Sequence, residues 1–481
     1  MGQLPSKRLI CLFRRSSDVA LLGTPNSVSI LAATFVCLLS GCAARGPFHS
    51  RSVVPGELVS RTGTVVAYVR QPGEVVFPTG LESGQALSLD QAIESALANN
   101  DGFHATLSQM GMANGDFVQA GLLTNPSVTT MIPVGVKQWE WTLFVPIEAF
   151  LLRPERLALA EKSCEQIAHQ LVQNGMSLVR DVQVAYTNLA LATEQYILAQ
   201  EALAIRNDVA SLTEKRLADG DIAELEAIQA RVDVLNSKAN AALLEQNVVI
   251  AREQLALLMG IPEQADNLQV QSMPDCGLAA VNVDALIEQA MASRPDLQAA
   301  EWAVAAAESR YRLSQKAWWR FDAGADANGS GEKEYEMGPV FRFDIPIFNR
   351  NQGGIARACA ELEAAKYNRD QIRDQIVQQI RLASTQSRQA SDNFNALNSE
   401  VLPALDEALS IAKKGFEGGG TSYLLVLQTT TQYLDAKARM LDQAAAICRA
   451  RAQLDLSCGR RLGLPVSELL SNSSTVNPDQ P

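Results

Sequence analysis

From Val182 onward, apolar side chains recur at alternating spacings of three and four residues through Ala185, Leu189, Ala192, Tyr196, Ala199 and Leu203. That rhythm is the seam of a coiled coil, and it predicts one helix from about Arg153 to Ala218. A helix of about 65 residues is close to 100 Å long, beyond the span of any globular core, so an elongated protein is expected. The rhythm returns through Ile376, Ile380, Ala383, Ser387, Ala390, Phe394, Leu397, Val401, Ala404, Ala408, Ile411 and Gly415, with Pro403 as the point of an expected kink. Two return helices carry stripes of their own. One runs through Leu225, Ile228, Val232, Leu235, Ala239 and Ala242, the other through Leu424, Leu427, Thr431, Leu434, Ala438, Leu441, Ala445, Cys448 and Ala452.

Long helices come in two sets because the chain repeats. Leu89-Asp90-Gln91-Ala92-Ile93-Glu94 opens a helix in the same style as Val283-Asp284-Ala285-Leu286-Ile287-Glu288. Phe144-Val145-Pro146-Ile147 answers Asp344-Ile345-Pro346-Ile347, Gly220 answers Gly418 to Gly420, and Gly260-Ile261-Pro262 answers Gly463-Leu464-Pro465. Four matches in one order indicate two equivalent halves. Each half reads as helix, two strands, long helix, break, long helix. The expected boundaries are a signal peptide at 1–41, an extended segment at 42–86, a first repeat at 87–270, a linker at 271–282, a second repeat at 283–465 and a tail at 466–481.

The strands are expected at Ser127 to Val134, Lys137 to Pro146, Trp319 to Asp326 and Glu336 to Ile345. In the last, Phe341, Phe343 and Ile345 share one side while Val340, Arg342 and Asp344 share the other. Apolar-out, charged-in alternation over about 9–11 residues is the pattern of a membrane-spanning barrel strand. Trp139, Trp141, Trp318 and Trp319, four of the five tryptophans, lie in or beside the hairpins, where an aromatic girdle belongs. Four strands cannot close a barrel, and an open edge cannot stand in lipid. Copies must therefore share one, and three copies supply about twelve strands.

Lys7, Arg8, Arg14 and Arg15 precede an apolar run from Val28 to Leu39, the order of a secretion signal. The run ends in Leu39-Ser40-Gly41-Cys42, a lipoprotein cleavage box, and makes Cys42 the expected lipidated residue. Loss of residues 1–41 takes the formal charge from −12 to −15, which argues against nucleic-acid binding. The other cysteines, Cys164, Cys276, Cys359, Cys448 and Cys458, form no CxxC pair and read mostly as small packing residues. No catalytic motif, cofactor site or metal-ligand cluster stands out, so no enzyme, cofactor or bound metal is expected.

With Phe343-Asp344-Ile345-Pro346-Ile347-Phe348-Asn349-Arg350-Asn351-Gln352-Gly353 running from strand into helix, and with two glycine-plus-leucine tips, the chain resembles the TolC-like outer-membrane efflux family over about Leu87 to Pro465. The likeness is to the lipoprotein members serving metal-resistance and multidrug pumps. It implies a mainly α fold with membrane β: duplicated coiled-coil hairpins and four strands per chain, forming a homotrimer whose 12-stranded barrel continues into a helical periplasmic tube. It also implies a passive export duct with a periplasmic adaptor (membrane fusion) protein, an inner-membrane RND-type pump and outer-membrane lipid as partners. The tip or gate would be built from Arg216, Asp219, Gly220, Asp221, Glu417, Gly418, Gly419 and Gly420. The competing reading is a lipid-anchored periplasmic coiled-coil scaffold, which explains the heptads but neither hairpins nor duplication.

Overall fold

A computed structural model describes residues 53–64, 74–76, 86–132, 139–274, 276, 282–330 and 334–462. The signal segment, Cys42, Gly463 to Pro465 and the tail at 466–481 lie outside the described residues.

The two halves repeat element by element. The first holds α2 (Leu89–Asn99), α3 (Asp101–Gly121), β1 (Ser127–Met131), β2 (Glu140–Pro146), α4 (Glu148–Ala218) and α5 (Glu224–Met259). In the second stand α6 (Val283–Ser293), α7 (Pro295–Lys316), β3 (Phe321–Ser330), β4 (Glu334–Phe343), α8 (Gln352–Ala396), α9 (Leu402–Glu417) and α10 (Tyr423–Cys458). Local chemistry sets the boundaries. Ser88 and Gln91 form a capping box on α2, Asn100 caps α3 through the Phe103 N–H, and Asn282 caps α6. Glycines in the left-handed region end the hairpin helices in register: Gly220 at φ 80° against Gly419 at 78°, and Gly260 at 71° against Gly459 at 67°. Both pairs lie 199 positions apart, so Gly459, not Gly463, is the structural partner of Gly260. A side chain at Gly260 would also strike the Asn99 carbonyl oxygen, 2.2 Å from an added Cβ.

The segment expected to be extended contains a helix, α1 (Val53–Thr62). Pro55 falls in its first turn, where a missing N–H costs no helical hydrogen bond, and docking decides the rest. Leu58 is fully buried over Gly175 of α4, where any Cβ would sit 2.6 Å from the leucine methyl. Arg61 then donates from Nη1 to the carbonyls of Ser293 (2.8 Å) and Gly459 (2.9 Å), tying α1 to the ends of α6 and α10.

The 71 residues of α4 make about 105 Å of unbroken helix. Its seam is where the heptads put it, with Val182, Ala185, Leu189, Ala192 and Ala199 buried. In the second half the heptads hold only to Ala390. A π-turn at Leu397–Val401, closed by the Leu402 N–H on the Leu397 carbonyl, inserts one residue just ahead of Pro403. Proline has no N–H and its ring crowds the carbonyl four residues back, so the wider turn relieves both faults. The apolar face rotates by about 100°. Leu409, Ala412 and Phe416 are buried in place of the expected Ala408, Ile411 and Gly415, and Ile411 is 65% exposed.

The stripe on α5 is also corrected. Leu225, Ile228, Val232 and Leu235 are 47–64% exposed, whereas Ala227, Ala230, Ser237 and Ala241 face α4. Small residues make the contact within the chain because they let the helix axes approach; the large ones point away from it. The Cys448 reading changes as well. Cys276 and Cys448 form a disulfide with Cα atoms 5.0 Å apart, fastening the linker between the halves to α10. Cys164 and Cys458 are buried free thiols, and burial pushes both up to about 11, as suits packing residues.

Candidate functional site: the strand sheet and the helix tips

The four strands form one antiparallel sheet in the order β1-β2-β3-β4. Their lengths are 5, 7, 10 and 10 residues, with β1 shorter than expected and β3 and β4 reaching further toward their loop. Register segregates the side chains. Pairing of Thr142 with Asp326, Pro146 with Asp322 and Asp322 with Arg342 sets Glu140, Asp322, Asp326, Glu336 and Arg342 on one face. There Arg342 Nε donates to Asp322 Oδ2 at 2.7 Å, its guanidinium lies 4.2 Å over the Phe144 ring, and Thr142 donates to Asp326 at 2.7 Å. The opposite face carries Val128, Trp141, Leu143, Val145, Phe321, Met337, Phe341 and Phe343. Val128, Met337, Phe341 and Phe343 are 61–65% exposed, and the Phe321 and Phe341 rings stack at 6.0 Å. A continuous apolar face in water would drive aggregation; lipid is the solvent it suits.

The tryptophans stand at the two ends of this sheet. Trp139 and Trp141 are exposed at the loop end, while Trp318 (exposed) and Trp319 (half-buried) precede β3 at the helix end. The Trp139 carbonyl accepts from the Gly329 N–H, ten residues beyond Trp319. Ten residues of strand cover about 33 Å, or about 23 Å of height at a 45° tilt, close to the ~25 Å apolar band of a membrane barrel.

At the far ends of the helices the two turns lie side by side. Asp219, Asp221 and Glu417 are exposed, with no side-chain partner among the described residues. Arg216 does not meet an acid. It lies 4.8 Å over the Phe416 ring and donates to the Phe416 carbonyl at 3.3 Å, so it crosses from the first half to the second. Gly418, Gly419 and Gly420 form the turn: the Gly420 N–H reaches the Gly415 carbonyl at 2.8 Å, and only Gly419 needs the left-handed conformation. Beneath it Phe416 and Tyr423 pack with Ala210, Ala230, Ala412 and Val426. The Tyr423 hydroxyl donates to Asp233 at 2.6 Å. Burial, then the hydrogen bond and charge of Asp233, push this phenol well above its ordinary range, so it stays a donor at any physiological pH. Phe416, Tyr423 and Asp233 were missed in the sequence. The signal for Tyr423 was its place at the head of a return helix, in phase with Val426; Phe416 was hidden by the π-turn.

A sheet with one lipid-suited face, one charged face and two open edges, standing on paired helical hairpins, defines a class: a subunit of a shared membrane barrel that opens into a helical tube. The sequence pattern of the outer membrane efflux protein family matches residues 92–261 and 286–460, and the chain belongs to that family. It is an outer-membrane channel protein, and the scaffold reading falls with that assignment. Among its relatives, the cobalt-zinc-cadmium resistance protein CzcC of Cupriavidus metallidurans is 24% identical over 403 residues, 80% of this chain and 92% of that one. The cation efflux system protein CusC of Escherichia coli K12 is 25% identical over 298 residues, 59% of this chain and 63% of the relative. The fold matches crystal structures of CusC at a TM-score of 0.66 and 19% identity, covering 82% of this chain and all of that one. It also matches the outer membrane protein VceC of Vibrio cholerae at 0.66 and 20%, covering 77% and 96%.

Proposed function

We propose that three copies of this chain, each anchored by lipid on Cys42, form a passive outer-membrane duct that exports small cationic cargo delivered by a periplasmic adaptor and an inner-membrane pump of RND type. The observation that carries the reading is the register of the sheet, which gathers Glu140, Asp322, Asp326, Glu336 and Arg342 on one face and sets Trp141, Leu143, Phe341 and Phe343 on the other while leaving both edges unpaired. Unpaired edges in lipid demand a neighbour, and copies of the same sheet supply one.

The helices support the same ring. Within the chain α10 packs against α4. The duplication maps α10 onto α5 and α4 onto α8 with α9, so the contact, repeated between copies, sets the exposed Leu225-to-Leu235 stripe of α5 against α9 of the next copy. Ile411, 65% exposed, is the large side chain that α9 offers there, opposite Leu225. Head-to-tail contacts of this kind close into rings. Cation cargo is favoured by the names of the metal-resistance relatives and by the charged sheet face, where four carboxylates meet one arginine.

At the tip, Tyr423 on Asp233 and Arg216 on Phe416 hold the two hairpins of one copy together, a closed latch. Asp219, Asp221 and Glu417 stand free beyond it, available to neighbouring copies or to the adaptor. A cysteine pair at Leu225 and Ile411 in a C359S background tests the ring: oxidation should yield a covalent trimer extracted only by detergent. Monomer alone, or protein released by salt, would contradict it.

A further inference from the structure

Midway along the helices, α4, α8 and α10 enclose an open cavity of about 510 Å³ whose chemistry runs against the acidity of the chain. Arg180 and Arg449 line it with Gln386, Gln389, Gln443 and Gln453, and no carboxylate does. Arg180 is paired with Asp181 beside it at 2.8 Å and donates to Gln453 at 3.3 Å. Arg449 meets only a neutral acceptor, Asn188, at 3.0 Å, and has no acidic partner among the described residues. An uncompensated guanidinium among four amides, each able to turn its NH2 inward, is a donor-rich surface. Such a surface matches the oxygens of an anion and offers little to a cation.

The groove also has a definite side. On α4, Gly175 carries the α1 layer, and Arg180 lies about 140° round the helix from it. On α10, Leu454 packs into the α6 core, and Arg449 again lies about 140° away. If the duct reading holds, a layer of short helices can only wrap the outside of the wall, because inside it would fill the bore. The groove then faces the bore.

We propose that this groove is a binding station for small anions bearing carboxylate or phosphate oxygens, one per copy, so that the bore takes negatively charged solutes as well as cations. It deepens the duct reading by adding a second cargo class or a counter-ion site. Arg449 is the principal ligand and Arg180 its support.

Isothermal titration of the detergent-solubilised full-length protein with citrate, and separately with inorganic phosphate, tests the station directly. The wild type should bind at least one of the two, the arms telling carboxylate from phosphate preference. Arg180→Gln with Arg449→Gln should weaken that binding at least tenfold, R449Q alone should give most of the loss, and R449K should restore part of it. R449Q replaces a half-exposed side chain and keeps the test open if the double variant fails to fold. Wild-type protein that binds neither anion, or variants that bind as the wild type does, would overturn the proposal. Planar-bilayer recording separates the two claims: citrate should reduce wild-type conductance and leave the double variant unaffected. A conducting wild type with equal citrate block in both would remove the station and keep the duct, whereas anion binding without conductance would do the reverse.

Discussion

The two halves of this chain reach the same tip by different routes. In the first, α4 runs 71 residues without a fault and ends in an exposed turn. In the second, α8 stops at Ala396, a π-turn shifts the apolar face by one residue, and α9 delivers Phe416 into a buried cluster with Tyr423. Duplication thus preserved the spacing of the cap glycines while one half kept an unbroken column and the other took up a π-turn. The difference also reaches the middle of the wall. Ala256, fully buried near the end of α5, corresponds to Asp455 near the end of α10, which is buried and holds the Leu462 N–H at 2.9 Å and Arg451 at 3.1 Å.

Breaking the asymmetry at its source should have the largest effect. Inserting one alanine after Asp406, between the π-turn and the tip, carries Phe416 about 100° past the seam, a loss on the scale of Phe→Ala in a core, ~3–5 kcal/mol locally. Limited proteolysis should then cut faster at Gly418 to Gly420, while cleavage at the exposed Gly220 turn should match the wild type. Unchanged cleavage would show that the phase of Phe416 does not hold the tip.

The disulfide is the next difference, since α5 carries no counterpart to Cys448. Cys276→Ser should destabilise the second half by ~2–4 kcal/mol, and Cys448→Ser by the same amount. The double variant should lose no more than either, readable as equal shifts in thermal unfolding that vanish under reductant. Smaller again is Tyr423→Phe, which leaves Asp233 without its donor and should cost ~1–2 kcal/mol, seen as faster hydrogen exchange confined to the tip. Smallest is the pH effect of Asp455. Its carboxyl is raised chiefly by burial, so the folded state holds the proton more tightly than the unfolded chain. Stability should therefore fall as pH rises from the ordinary carboxylate value through the raised one, and a D455N variant should lack that slope.

Much of this was legible beforehand, and the exceptions share a cause. Periodicity found the seam of α4, the hairpins and the repeat. It can say that a face of α5 is apolar but not whether Leu225 and Leu235 meet this chain or another. A heptad count cannot see one inserted residue, so Gly415 stood where Phe416 belongs; Pro403 was the only mark of the fault. Pro55 and Gly56 hid α1, whose stability comes from Leu58 on Gly175, a contact far apart in sequence. Cys276 and Cys448, 172 residues apart, are joined by tertiary packing that no spacing rule contains. At the tip, acidic residues drew attention, yet the contacts that bind the hairpins together run through two aromatic rings and one aspartate.

The central claim is that β4 has a lipid face and a bore face. Single cysteines placed in turn at Met337, Gly338, Val340, Phe341, Arg342 and Phe343 of the C359S protein, in outer-membrane vesicles, read it residue by residue with a charged, membrane-impermeant maleimide. Labelling should alternate, strong at 338, 340 and 342 and weak at 337, 341 and 343. Uniform labelling along the strand would contradict the account.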